Sequence, residues 1–264
     1  MKDSNLPNTK MLPTNRGYEL AYQHISAEQS AKNKCGIIFL HGHGSDMLGS
    51  KAEVIMNWAI DKKIQFTRFD FFGHGQTGGD IMSATIGHWI EDACNIIDNI
   101  TDGKQILVGS SLGGWIMLTL CKYRLKQIDS LIGIAAAPDF TKRLIWDTLE
   151  PGKQDEFRES GVLNVPDPYS TSYVHYPYQL IQEAEKHLVL ESPIEFNGRV
   201  ILHHGLCDEE VPWQTSLEIA QKVKSDKVQV HLDKTATHRY SQKEQLGAIV
   251  RSLENLMSAD LKEY

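Results

Sequence analysis

The sequence predicts an α/β fold: a mostly parallel central sheet with helices on both faces and a small helical insertion. Three observations carry this. A short, continuous apolar run at 35–40 and another at 105–108, with further strand-like stretches at 64–72, 129–137 and 199–204, have the pattern of strands in a parallel sheet buried on both faces. Stretches with apolar residues at helical spacing lie between them, which is the rhythm of βαβ crossovers. At 104–124 an apolar run leads through Gly109, Ser110, Ser111, Leu112, Gly113 and Gly114 into a helical stretch, so strand, sharp turn and helix follow directly.

Taken in order, residues 11–25 alternate loosely around Asn15, Arg16 and Gly17 and predict an opening hairpin that the polar segment 26–34 ends. The first parallel strand, 35–40, runs into His41, Gly42, His43 and Gly44. Ala52, Ile55, Met56 and Ala59 recur at helical spacing, and 64–72 supplies the next strand. Gly73, Gly75 and Gly78 then match G-x-G-x-x-G after a strand. A dinucleotide fingerprint needs its last glycine inside a helix that starts at the turn, but Gly79, Asp80 and Ser83 continue the loop. The helix starts near Thr85 and carries Ile86, Trp89, Ile90, Ala93, Ile97 and Ile100 on one face. The turn at 109–114 lacks the Gly-Lys-Ser/Thr of a nucleotide P-loop.

After the strand at 129–137, Pro138 and Asp139 stop regular structure, and the alternation breaks down over 140–197. This stretch is rich in proline and holds Trp146, Phe157, Tyr169, Tyr173, Tyr176 and Tyr178. It is expected to form a lid over a site, with Trp146, Tyr173 and Tyr176 as substrate-binding candidates; packing of the insertion against the body explains the aromatics equally well. The sheet resumes at 199–205. A helix then turns Trp213, Leu217, Ala220 and Val223 inward, and 227–233 alternates as an edge-like strand. Ser241 and Glu244 form a capping box opening the last helix, which buries Leu246, Ile249, Val250, Leu253 and Met257. A single domain over 1–264, with its insertion at about 140–197, accommodates all of these elements.

The chain has 264 residues and a net charge of −7 with no long basic run, which argues against nucleic acid or an anionic membrane surface as main partner. Cys35, Cys94, Cys121 and Cys207 are widely spaced and read as reduced thiols. The N-terminal residues have neither an apolar signal core nor an acid-free, arginine-rich composition, and no stretch approaches the roughly 18 apolar residues of a membrane span. These features predict a cytoplasmic protein. No feature specifies an oligomeric state.

Reactive groups of a parallel sheet collect beyond the carboxyl ends of its strands, where Ser111, Asp208 and His238 fall in that order. A serine hydroxyl is a poor nucleophile until an imidazole takes its proton, and a buried carboxylate fixes that imidazole's tautomer. Register selects Ser111 over Ser110, because a strained turn needs small residues two before and two after the nucleophile. Ser111 has Gly109 and Gly113 there, whereas Ser110 has Val108 and Leu112. Asp139, at the end of the preceding strand, rivals Asp208 as the acid. Glu209 and Glu210 are expected to be solvated, and Asp233 lies inside a strand. An oxyanion would need two fixed N–H donors, assigned to the backbones of Leu112 and His43. His41 and His43 lack the neighbouring carboxylate or thiol of a structural zinc site, so no metal is expected.

Taken together, Phe39 to Gly42, Arg68 to Gly75, Gly109 to Gly113, His204 to Pro212, and Thr237 with His238 resemble the α/β-hydrolase superfamily over nearly the whole chain. Residues 106–115, 183–187, Ser192 with Pro193, and 211–216 are similar to its acyl-protein thioesterase and acyl-glucuronide esterase group. The resemblance implies hydrolysis of a small-molecule or acylated-protein ester or thioester through an acyl-enzyme, without metal or cofactor. The same three residues would also serve carbon–carbon bond hydrolysis or peptidase action, and the fold also admits a non-catalytic ligand sensor.

Overall fold

The computed structural model describes residues 7–28, 35–167 and 171–259; Pro168 and Tyr169 of the insertion, and parts of the N-terminal and 26–34 segments, lie outside the described residues. Eight strands form one sheet in the order β1 (Lys10–Pro13), β2 (Glu19–Ile25), β4 (Phe66–Phe69), β3 (Gly36–Leu40), β5 (Gln105–Ser110), β6 (Ile128–Ile134), β9 (Arg199–Gly205) and β10 (Val228–Asp233). β4, β3, β5, β6, β9 and β10 pair in parallel. The opening hairpin pairs β1 with β2 and β2 with β4 in antiparallel fashion.

The continuous apolar runs are explained by two cores, one on each face. Successive strand side chains point to opposite faces, so Ile37, Phe39, Ile106, Val108, Ile132 and Ile201 enter the core under α1 (Ser50–Lys62) and α7 (Lys243–Ala259). Their neighbours Ile38, Leu40, Leu107, Leu131 and Leu202 enter the other core. That one is covered by α2 (Ile86–Ile100), α3 (Leu112–Tyr123) and α6 (Gln214–Lys222), with Trp89 and Trp115 fully buried.

Local signals explain most boundaries. Thr85 caps α2, its hydroxyl accepting from the His88 amide at 3.2 Å. The cap of α7 is displaced by one residue from expectation: the Gln245 side chain accepts from the Gln242 amide at 3.0 Å, and Glu244 is exposed. On α6 the inward residues are Ser216 and Ile219, and Leu217 is exposed. β6 ends at Ile134, three residues early, because the Ala137 amide turns to the carbonyl of Ser111 at 3.1 Å.

The insertion at 140–197 contains helical turns at Thr141–Ile145 and Trp146–Thr148, then α4 (Pro151–Ser160) and α5 (Tyr178–Ala184). It is not wholly helical as expected, because β7 (Val162–Pro166) and β8 (Tyr173–Pro177) form an antiparallel hairpin between them. Leu163 faces Tyr176 and Val165 faces Val174 across this hairpin, so alternate residues give it one apolar face. Among the described residues, no helix is long and apolar enough to cross a membrane.

Candidate active site

Parallel register places the ends of β3, β5, β6, β9 and β10 along one rim: Leu40 pairs with Gly109, Ser110 with Ile134, Ile134 with His203, and Gly205 with Asp233. At the centre of that rim Ser111 adopts φ 53°, ψ −118°, a conformation costly for a residue with a side chain. The flanking glycines are sterically required. A Cβ on Gly109 would lie 2.4 Å from the Gly113 carbonyl oxygen, and one on Gly113 would lie 2.1 Å from that of Leu40. Ser110 is buried at the end of β5.

His238 meets Ser111 directly, and Asp208 meets His238. Ser111 Oγ lies 3.0 Å from His238 Nε2, and His238 Nδ1 lies 2.8 Å from Asp208 Oδ2. An ionised carboxylate only accepts, so Nδ1 carries the proton and Nε2 is left to accept from the serine hydroxyl. The Asp208 side chain is fully buried, and its Oδ1 accepts from the amides of Glu210 and Val211 at 2.9 and 2.8 Å. Burial alone would raise its pKa, but hydrogen bonds from His204 and His238, the charge of His238 and the Val211 amide hold the carboxyl well below the usual carboxylate range.

The rival acids are engaged elsewhere. Asp139 uses both oxygens on the amides of Val189 and Leu190, each at 2.9 Å, and so ties down the end of the insertion; burial pushes its pKa up. Asp233 accepts from the Thr235 and Ala236 amides and shapes the turn before His238.

The loop after β3 is fixed by two histidines whose tautomers follow from their partners. His41 Nε2 accepts from the Phe71 amide while Nδ1–H donates to the Gly42 carbonyl, and His74 Nε2 accepts from the Gly44 amide while Nδ1–H donates to the Phe72 carbonyl. Asp70 adds the Met47 amide at 2.7 Å. Burial lowers the pKa of His41 and of His74 to about 4. Among the described residues, neither the His43 nor the Leu112 amide has a protein acceptor.

These residues open onto a cavity of about 920 Å³, within the range of small-molecule sites. The hairpin residues Leu163, Val165, Val174 and Tyr176 roof it together with Phe140 and Leu144. Of the expected aromatic contacts, only Tyr176 lines this cavity. Trp146 packs against Phe157 and Tyr178, with the Arg158 guanidinium 4.7 Å from its ring centre, and Tyr173 is more than half exposed at the outer end of β8.

Sequence reasoning missed His204 and Ser216. His204 is fully buried at the end of β9, with Nε2 3.0 Å from both Asp208 Oδ2 and the Val211 carbonyl and Nδ1 2.7 Å from Ser216 Oγ. Its place at the head of the 204–212 stretch, four residues before Asp208, was the signal available.

Residues 31–154 match a family profile described as serine aminopeptidase, S33. The chain is 37% identical over 239 residues to the mouse mitochondrial palmitoyl-protein thioesterase ABHD10, covering 90% of this chain and 78% of that one. With the human protein of the same name the identity is 38%, covering 90% and 76%. The solved structure of mouse alpha/beta hydrolase domain-containing protein 10 superposes with a TM-score of 0.88 at 35% identity, covering 96% of this chain and 99% of that one. The mitochondrial designation of these relatives overturns the cytoplasmic location expected from composition. Spaced, reduced thiols report the absence of disulfides and do not distinguish one reducing compartment from another.

Proposed function

The chain belongs to the α/β-hydrolase family that includes the palmitoyl-protein thioesterase ABHD10 and is an ester or thioester hydrolase, and we propose that Ser111, His238 and Asp208 carry out its reaction. The observation that carries this reading is the continuous hydrogen-bonded chain Ser111–His238–Asp208 at the floor of the cavity. His238 takes the hydroxyl proton as Ser111 Oγ attacks the acyl carbon. The amides of His43 and Leu112 receive the oxyanion. The bond to the leaving sulfur or oxygen breaks, His238 returns the proton to it, and the acyl group stays on Ser111. Water then gives a proton to His238 and attacks the acyl-enzyme; collapse releases the acid and restores the serine hydroxyl.

Substrates on this reading are small-molecule or acylated-protein esters and thioesters. The hairpin-bearing insertion at 140–197 acts as the lid, with its apolar face, Tyr176 included, against the acyl group. Replacing Ser111 with alanine is expected to lower turnover of acyl thioesters and esters by on the order of 10⁴. A fluorophosphonate should add to Ser111 in the wild type only. Unchanged turnover in Ser111→Ala would refute the assignment. A panel that includes aminoacyl amides separates esterase from peptidase action.

A further inference from the structure

Beyond the three reacting residues, the buried side of the site holds two polar groups that no step uses. His204 Nε2 faces only acceptors, the Asp208 carboxylate and the Val211 carbonyl, so it carries the proton. Its other nitrogen is left to accept from the hydroxyl of Ser216, which sits on α6 at 2.7 Å. Proton direction is thereby fixed along five groups. Ser216 donates to His204, His204 and His238 both donate to Asp208 Oδ2, and Ser111 donates to His238.

We propose that His204 is a positioning residue: its Nε2–H shares Asp208 Oδ2 with His238 and so holds the carboxylate in one orientation and limits the negative charge His238 meets. This rests on the catalytic reading above. The geometry has two consequences. Oδ1 is already pinned by two backbone amides, so with His204 on the far side of Oδ2 the carboxylate is held against rotation at both oxygens. A donor removed from Oδ2 leaves that oxygen with more charge toward His238, because a buried carboxylate has no water to replace the lost bond. Protonated imidazole is then favoured, and a protonated base cannot accept the serine proton.

The experiment compares His204→Phe, which keeps a ring but no donor, with His204→Gln, whose amide N–H reaches a similar point. The readout is kcat/KM against pH for a soluble acyl thioester. The titratable groups that line the cavity with His238 are His41, His43, Asp46, Lys51, Asp167, Tyr176, Glu209, Glu210 and Arg239; neither variant alters them. In His204→Phe the plateau is expected to fall by about 10- to 100-fold, the size of effect that goes with losing one hydrogen bond to a charged group, and the acid limb should move to higher pH. In His204→Gln both should return close to wild type. An acid limb that stays in place in a folded His204→Phe, or a Gln variant that restores neither feature, overturns the proposal. Should His204→Phe fail to fold, Ser216→Ala takes its place, with a smaller shift of the limb in the same direction expected and an unmoved limb refuting it. Fluorophosphonate labelling separates the two ideas: wild-type protein unlabelled at Ser111 would sink the catalytic reading, whereas normal labelling with an unmoved limb sinks only the role of His204.

Discussion

Two groups of histidines flank the same cavity floor, and they are held in opposite ways. His204 and His238 converge on one buried carboxylate. His41, His43 and His74 converge on one another and on aromatic rings: His41 and His74 are 5.1 Å apart between centroids, His43 and His74 5.6 Å, and His43 stacks on Tyr176 at 5.3 Å. Burial, with His74 nearby, pushes the His43 pKa down to about 3. The first group is built around a charge, whereas in the second the neutral rings of His41 and His74 fix backbone positions. A histidine beside a serine is therefore not informative by its type alone; the partner of its second nitrogen decides what it does.

The sharpest way to break this contrast is to remove the charge. Asp208→Asn keeps the shape but offers an amide where His238 needs an acceptor, so the imidazole can present the wrong tautomer to Ser111. A fall in kcat on the order of 10⁴ is expected, measured by steady-state hydrolysis at neutral pH. Substituting glutamine for His74, which serves only backbone amides and carbonyls, should cost less than about tenfold. Comparable losses from both variants would mean the two groups are one functional unit.

Stability against pH should separate the groups next. Histidines whose folded pKa lies near 3 or 4, against about 6.5 when unfolded, bind fewer protons folded than unfolded between those values. Stability therefore falls as pH drops from about 6.5 to 4. Asp208 shifts in the same sense, but its contribution disappears only as pH falls below the ordinary carboxylate range, through its depressed folded value. Unfolding free energies from denaturant titrations at pH 7 and pH 4 should decline for the wild type and decline less for His74→Gln, by about 2 kcal/mol over the interval. An identical slope in the two proteins would remove His74 from the buried neutral set.

What the sequence disclosed depends on how local the physics is. The elbow at Ser111 was legible because the exclusion of side chains at Gly109 and Gly113 acts within five residues. The pairing of Asp208 with His238 was legible because strand ends collect polar groups, although Asp139 could be set apart from it only when its amide partners Val189 and Leu190 came into view fifty residues away. His204 was hidden by its surroundings, since it closes an apolar strand and its partner Ser216 lies on another element. Asp92 was concealed on the apolar face of α2, where it accepts from Tyr18 and the Phe72 amide and burial raises its pKa to about 7. The β7–β8 hairpin was illegible because short strands ending in proline carry little periodicity, and its apolar face exists only once the two strands pair.

That hairpin supplies the subtlest test, because it lays Tyr176 against His43 on the wall of the same cavity. Tyr176 and Tyr173 are three residues apart on β8, yet Tyr176 stacks on His43 and lines the cavity, whereas Tyr173 is 56% exposed. Apolar surface buried against an acyl chain contributes about 25 cal/mol per Å², so losing roughly 50 Å² of ring surface costs about 1.4 kcal/mol, or tenfold in affinity. Tyr176→Ala should therefore raise KM for a long-chain acyl thioester by up to about tenfold and change kcat by less than about threefold, since the chain Ser111–His238–Asp208 does not pass through it. Tyr173→Ser should leave both within about twofold. Equal effects from the two substitutions, or a Tyr176→Ala loss confined to kcat, would mean that the roof acts on the chemical step and that the neutral histidines share in it.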